Sequence, residues 1–124
     1  MRILLTGANG FLGLNLSNEF LKQKIDLIKV TRNGDGGSLA CDLTSKYNVK
    51  SLMLQVNPDL IVHCAAFVPK TLEEYKDVSQ SSQNCKMLEN ILLASNAPIV
   101  YISSMTVYGW AGSVIRGEYD AGSP

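Results

Sequence analysis

Four short runs in this chain carry apolar residues on both of their faces: Ile3–Thr6, Leu27–Thr31, Leu60–Cys64 and Ile99–Ser103. A strand that alternates apolar and polar residues can leave one side in water. A strand apolar on both sides has to be covered twice, the condition met by a parallel sheet between two layers of helices. The segments between the runs have helical periods. From about Phe11 to Lys24, Leu12, Leu16 and Phe20 recur at i, i+4, i+8. A second helix starts at Thr44 or Ser45, either a fair N-cap, carries Val49, Leu52, Met53 and Val56 on one stripe, and ends at Asn57-Pro58. A third, from about Leu72 to Ser95, places Val78, Cys85, Leu88 and Leu92 on one stripe and closes at Asn96-Ala97-Pro98. Leu39–Cys41 reads as a further short strand. This order of strands and helices predicts an α/β fold: a doubly wound parallel sheet in a three-layer αβα arrangement.

At 124 residues there is room for about one domain. The periodicity stops at Gly109, so residues 1–109 are expected to form the domain and 110–124, rich in Gly, Ser and Ala, an irregular tail. Lysine plus arginine and aspartate plus glutamate both total 11. That balance speaks against a nucleic-acid partner, which needs a basic excess to displace counterions. No apolar run reaches the roughly 18 residues of a membrane helix. Thr6-Gly7 interrupts the first apolar run too early for a signal peptide. Cys41, Cys64 and Cys85 form no Cys-x-x-Cys, so neither a disulfide framework nor a metal site is expected, and the cytoplasm is the expected compartment.

The chemistry starts at Thr6-Gly7-Ala8-Asn9-Gly10-Phe11-Leu12-Gly13, between the first strand and the first helix. Gly7 permits a tight turn out of the strand, Gly10 lets backbone approach a pyrophosphate, and Gly13 lets the helix pack closely on the strand. The unpaired N–H groups of the helix start, with its dipole, would face phosphate oxygens. A P-loop is excluded because no Gly-Lys-Ser/Thr follows the glycines.

Gly-x-x-Gly-x-x-Gly behind a threonine resembles the short-chain dehydrogenase/reductase superfamily, and the later motifs resemble its extended branch, the NAD(P)-dependent epimerases, dehydratases and reductases. Asp42-Leu43 is similar to the family's pair that bonds the adenine ring. Leu60-Ile61-Val62-His63-Cys64-Ala65-Ala66 resembles its fourth strand, where small residues let the cofactor cross the strand end. Asn84 with Asn90-Ile91-Leu92-Leu93-Ala94 resembles the following helix, and Val100-Tyr101-Ile102-Ser103-Ser104 before Val107-Tyr108-Gly109 resembles the catalytic-serine strand. The resemblance implies a Rossmann-type domain that holds its dinucleotide through Gly7, Gly10, Phe11, Leu12, Gly13, Thr31, Arg32, Asp42, Leu43, Cys64, Ala65, Ala66 and Asn84. It implies that Ser104 hydrogen-bonds the substrate group undergoing hydride transfer, against the plainer reading of a loop serine capping local backbone.

The end of the second strand bears on the cofactor. An NAD enzyme usually ends that strand with a carboxylate for the ribose 2′-hydroxyl. Here Thr31-Arg32-Asn33 stands in its place, and Arg32 could pair with a 2′-phosphate. NADP is therefore favoured over NAD. The alternative makes Arg32 a solvated loop residue and Asp35 the ribose partner.

One departure from the family pattern is plain. Four residues after Tyr47, Tyr75, Tyr101, Tyr108 and Tyr119 stand Ser51, Ser79, Met105, Gly112 and Ser123. None is the lysine of the Tyr-x-x-x-Lys acid/base pair, and only 15 residues follow Gly109. The chain reads as an extended enzyme truncated ahead of that pair, inactive alone. The full reading is an epimerase-, dehydratase- or reductase-like oxidoreductase, acting on a nucleotide-linked sugar and forming a homodimer. The alternative is a non-catalytic dinucleotide-binding module with a regulatory or assembly role. His63 reads as a satisfied core imidazole, Cys64 and Cys85 as small buried hydrophobes, and Trp110 as a substrate contact or simple packing.

Overall fold

The computed structural model describes residues 1–66, 71, 73, 76 and 78–102. The elements run β1 (Arg2–Thr6), α1 (Phe11–Lys22), β2 (Asp26–Thr31), β3 (Leu39–Ala40), α2 (Lys46–Val56), β4 (Leu60–His63), α3 (Val78–Ala94) and β5 (Ile99–Tyr101), with a 3₁₀ turn at Asp35–Gly37. The strands form one parallel sheet in the order β3-β2-β1-β4-β5. This is the doubly wound, Rossmann-like arrangement the apolar runs predict. The chain builds outward from β1 to β3, then crosses back over β1 to lay down β4 and β5.

Alternate residues of the central strands serve different layers. Leu4, Val30 and Ile61 pack with Val49, Leu52, Met53 and Val56 of α2 and with Met87 and Ile91 of α3. Ile3, Leu5 and Val62 pack on the other side against Leu16 and Phe20 of α1. The α2 stripe is buried at all four expected positions. Its N-cap is Ser45, whose hydroxyl accepts from Asn48 N–H, and Asn57 ends it in the left-handed region at φ 47°.

Two helices lie differently from the expectation. In α1 the fully buried positions are Gly13 and Ser17, while Leu12 is 40% exposed. Small residues bring the helix axis close to the sheet, so the contact line runs through them and the leucines flank it. In α3 the buried stripe is Met87, Asn90 and Ile91. Val78, Cys85 and Leu92 are exposed, so the predicted stripe faces outward and Cys85 is not a core thiol. Asn90 tolerates burial because its amide donates to the Leu43 carbonyl at 3.0 Å. The start of the third helix, the end of the last strand beyond Ile102 and the boundary at Gly109 lie outside the described residues.

Candidate functional site

In a doubly wound sheet, ligands bind at the C-terminal ends of the strands, where the strand order reverses. Here that point lies between β1 and β4, and a cleft of about 250 Å³ opens there.

Its floor is the glycine turn. Gly7 sits at φ +64°, and a Cβ on it would lie 2.6 Å from Ala65 N and 2.8 Å from Cys64 C. The turn and the β4 exit are therefore pressed together backbone to backbone. Gly13 is as tightly constrained: an added Cβ would run into the Gly7 carbonyl oxygen. Gly10 differs. A Cβ there meets only Gly7 O at 3.5 Å, so the space beside Gly10 is open. Leu14 N–H to Gly10 O, 2.8 Å, is the first helical bond, and Gly10 has no side chain to cap the N–H groups ahead of it.

Thr6 ties β1 to β4. Its hydroxyl accepts from Cys64 N–H at 3.1 Å and Ala65 N–H at 3.2 Å, and lies 2.7 Å from His63 Nδ1. With both lone pairs engaged, the hydroxyl proton goes to Nδ1, and the imidazole is the neutral Nε2–H tautomer. His63 is 2% exposed and stacks on Tyr101 with centroids 5.9 Å apart. Burial pushes its pKa down to about 4. The core-imidazole reading of His63 is therefore the right one.

A pH dependence follows. Below the ordinary histidine pKa of about 6.5 the unfolded chain takes up a proton that the folded chain refuses. The His63 contribution is whole above about pH 6.5 and is lost as pH falls toward about 4, in total about 3 kcal/mol. Urea unfolding at a series of pH values should show His63→Asn with a flatter profile than wild type across that window. Parallel profiles would show that His63 is not held neutral.

The cleft's outer wall comes from the ends of β2 and β3. Thr31 Oγ1 accepts from Gly34 N–H (2.8 Å) and Asp35 N–H (3.1 Å), while Arg32 stands on the cleft. Asp42 Oδ1 accepts from Thr44 N–H at 3.0 Å and Thr44 Oγ1 at 2.6 Å. These bonds, with a smaller contribution from the Arg32 charge, hold the Asp42 carboxyl below the usual carboxylate range. Burial raises the pKa of Cys41 and Cys64, so neither is a thiolate nucleophile at neutral pH.

Of the sequence-predicted residues, the cleft brings together Gly7 and Gly10 from the turn and Thr31 and Arg32 from β2 and its exit. Asp42 and Leu43 line it after β3, and Cys64, Ala65 and Ala66 after β4. Phe11, Leu12 and Gly13 form the first helical turn behind the wall, and Asn84 lies on α3 away from the lining. Ser104 and Trp110 lie outside the described residues. Sequence reasoning missed Asn9, Val30, Cys41, Thr44 and Met87. Asn9 could have been read from its place inside the turn. Met87 could not, because α3 carries two apolar stripes.

The comparisons with known proteins agree with this geometry. The model of the NAD dependent epimerase/dehydratase family matches residues 3–124. The chain belongs to that family. Among curated proteins, this family member is 32% identical to the CDP-paratose 2-epimerase of Salmonella typhi, over 88% of the chain and 38% of that protein. It superposes on a hypothetical dTDP-4-dehydrorhamnose reductase from Sulfolobus tokodaii with a TM-score of 0.85 and 28% identity, covering 100% of the chain and 46% of that structure. It also superposes on the dTDP-4-dehydrorhamnose reductase of Bacillus anthracis in complex with NADP, at TM-score 0.72 and 28% identity, covering 86% and 37%. More distant structures of the same fold, 20% and 22% identical, hold NAD. The epimerase/dehydratase chain thus spans less than half the length of these relatives.

The cleft fits the dinucleotide that the family implies. The open face of Gly10 and the uncapped start of α1 suit a pyrophosphate.

Proposed function

We propose that this chain is the dinucleotide-binding portion of an oxidoreductase that works by hydride transfer on a nucleotide-linked sugar. The observation carrying this reading is the cleft at the reversal of strand order, floored by Gly7 and Gly10 and flanked by Arg32 and Asp42. The relatives support the substrate class, being named for CDP-paratose and dTDP-4-dehydrorhamnose. A bound nicotinamide would accept or supply the hydride. The chain's own task is to cradle the pyrophosphate at the start of α1, orient the adenine at Asp42, and leave room for the cofactor across the end of β4 at Cys64, Ala65 and Ala66. Ser104 would hold the substrate hydroxyl or carbonyl. Fluorescence titration of the 124-residue chain with NADPH and NADH tests the reading, and absence of saturable binding by either would overturn it. The alternative reading is a non-catalytic dinucleotide-binding module with a regulatory or assembly role. Turnover by the protein in which the chain occurs separates the two.

NADP is the cofactor this reading favours. Arg32 lines the cleft where β2 ends, whereas Asp35 opens the 3₁₀ turn and is not on the wall. A charge-assisted contact is worth about 1.5–3 kcal/mol, so Arg32→Ala should weaken NADPH roughly ten- to a hundredfold and leave NADH nearly unchanged. The preference should shrink as salt rises. Equal affinity of the wild type for both would turn attention to Asp35.

The assembly we infer is a homodimer in the cytoplasm. The outward face of α3 leaves Val78 76%, Leu92 56% and Leu93 65% exposed, and exposed apolar patches mark association sites. Sedimentation should show self-association at high concentration, weakened by Leu92→Glu. A clean monomer would count against it.

A further inference from the structure

The turn that presents Arg32 is anchored at both ends by side chains whose roles nothing above explains. At one end the Thr31 hydroxyl accepts from the N–H groups of Gly34 and Asp35, at 2.8 and 3.1 Å. Thr31 is 3% exposed, and its carbonyl accepts Cys41 N–H at 3.0 Å, so this end is fixed to the sheet. At the other end Lys29 Nζ donates to the Gly36 carbonyl at 2.8 Å. Between them Gly34, Gly36 and Gly37 take positive φ values of 79°, 63° and 77°. Glycines reach many conformations and hold none alone. The shape of this turn is therefore set by its two anchors. Both lone pairs of the Thr31 hydroxyl are spent on the turn, so the group cannot also accept from a ligand.

We infer that Thr31 is a positioning residue for cofactor discrimination: its hydroxyl braces the 32–37 turn so that Arg32 is presented to the cleft. This rests on the reading of Arg32 as the partner of a ribose 2′-phosphate. An arginine whose backbone is braced loses less freedom on binding than one on a loose glycine loop, and the gain goes only to the dinucleotide that carries the phosphate.

The test is a set of fluorescence titrations with NADPH and NADH on the wild-type chain, Thr31→Val, Thr31→Ser, Arg32→Ala and the Thr31→Val/Arg32→Ala double variant. With a wild-type preference for NADPH of roughly tenfold or more, Thr31→Val should bring the ratio within about threefold by weakening NADPH alone. Thr31→Ser should keep it. In the Arg32→Ala background Thr31→Val should add nothing to the ratio, since the two act as one unit. Equal weakening of both cofactors by Thr31→Val would show a merely structural role and overturn the inference, as would an unchanged ratio; Arg32 would keep its role in both cases. A wild type that binds NADH as well as NADPH would overturn the Arg32 reading and this inference with it. Should Thr31→Val fail to fold, Lys29→Met releases the other anchor from a half-buried site. It should lower the NADPH/NADH ratio, and an unchanged ratio would overturn the inference.

Discussion

Gly10→Val loses most of its dinucleotide affinity at an almost unchanged melting temperature, whereas Gly13→Val is severely destabilised: this is the expected result for two glycines three residues apart. At Gly10 the backbone, φ −77° and ψ 173°, suits any L-residue, and a Cβ meets only an ordinary contact at 3.5 Å. The valine methyls then occupy the space beside the helix start where a pyrophosphate would lie. Each charge-assisted bond lost there is worth about 1.5–3 kcal/mol, so affinity should drop on the order of a hundredfold or more. At Gly13 the added carbon overlaps the Gly7 carbonyl oxygen and comes within 2.8 Å of Gly7 C and 3.0 Å of Ala8 Cα. All three are backbone atoms, so no rotamer change relieves the clash. Helix α1 would have to lift off the sheet and uncover Ile3, Leu5 and Val62, at a cost above about 3 kcal/mol. Thermal unfolding followed by circular dichroism, with calorimetric titration of NADPH, separates the two. A Gly10→Val chain that binds like wild type, or a Gly13→Val chain that melts like it, would contradict the account.

The 124-residue chain should bind its dinucleotide without turning over. General acid/base catalysis is commonly worth about 10²–10⁴-fold, and no tyrosine of this chain has a lysine four residues on. His63 is no substitute, being buried, neutral and committed to Thr6 through Nδ1. Cys41 and Cys64 are thiols whose pKa burial raises still further above neutrality. NADPH oxidation measured with several nucleotide-sugar ketones should not exceed the enzyme-free rate. Robust oxidation that disappears in Ser104→Ala would refute this and make the chain a complete catalyst.

The strands could be read within a residue or two because runs apolar on both faces have few other destinations. The short strand read at Leu39–Cys41 is present as Leu39–Ala40, paired with Val30 and Thr31. Helix α2 matches the reading, with Ser45 rather than Thr44 as its N-cap, since its buried positions are all large and apolar. In α1, Leu16 and Phe20 face the core as expected and only Leu12 turns outward, because Gly13 and Ser17 lie on the contact line. In α3 the buried stripe is Met87, Asn90 and Ile91, and a search for apolar periods passes over a glycine, a serine and an amide. Asn90 is buried for its bond to Leu43, a partner 47 residues away. The cleft followed the same division. Its turn and strand ends could be read as local motifs, while Cys41, Thr44 and Met87 reach the wall only through the packing of neighbouring elements. Thr31 was legible as a wall residue, but its grip on Gly34 and Asp35 was not.

The order of the strands also sets a timetable. β1 leaves the ribosome before β2 and β4, yet it lies between them, and its second edge stays unpaired until Leu60–His63 has been made. About 30 residues separate the end of β2 from the start of β4, which at roughly 5–20 residues per second is a wait of about two to six seconds. During that interval Leu4 and Leu5, both fully enclosed in the finished molecule, border an open edge. The same wait applies to Thr6, whose hydroxyl has neither His63 nor the Cys64 and Ala65 amides until β4 arrives. The centre of the sheet thus carries an open edge for longer than its neighbour β2 while the chain is being synthesised.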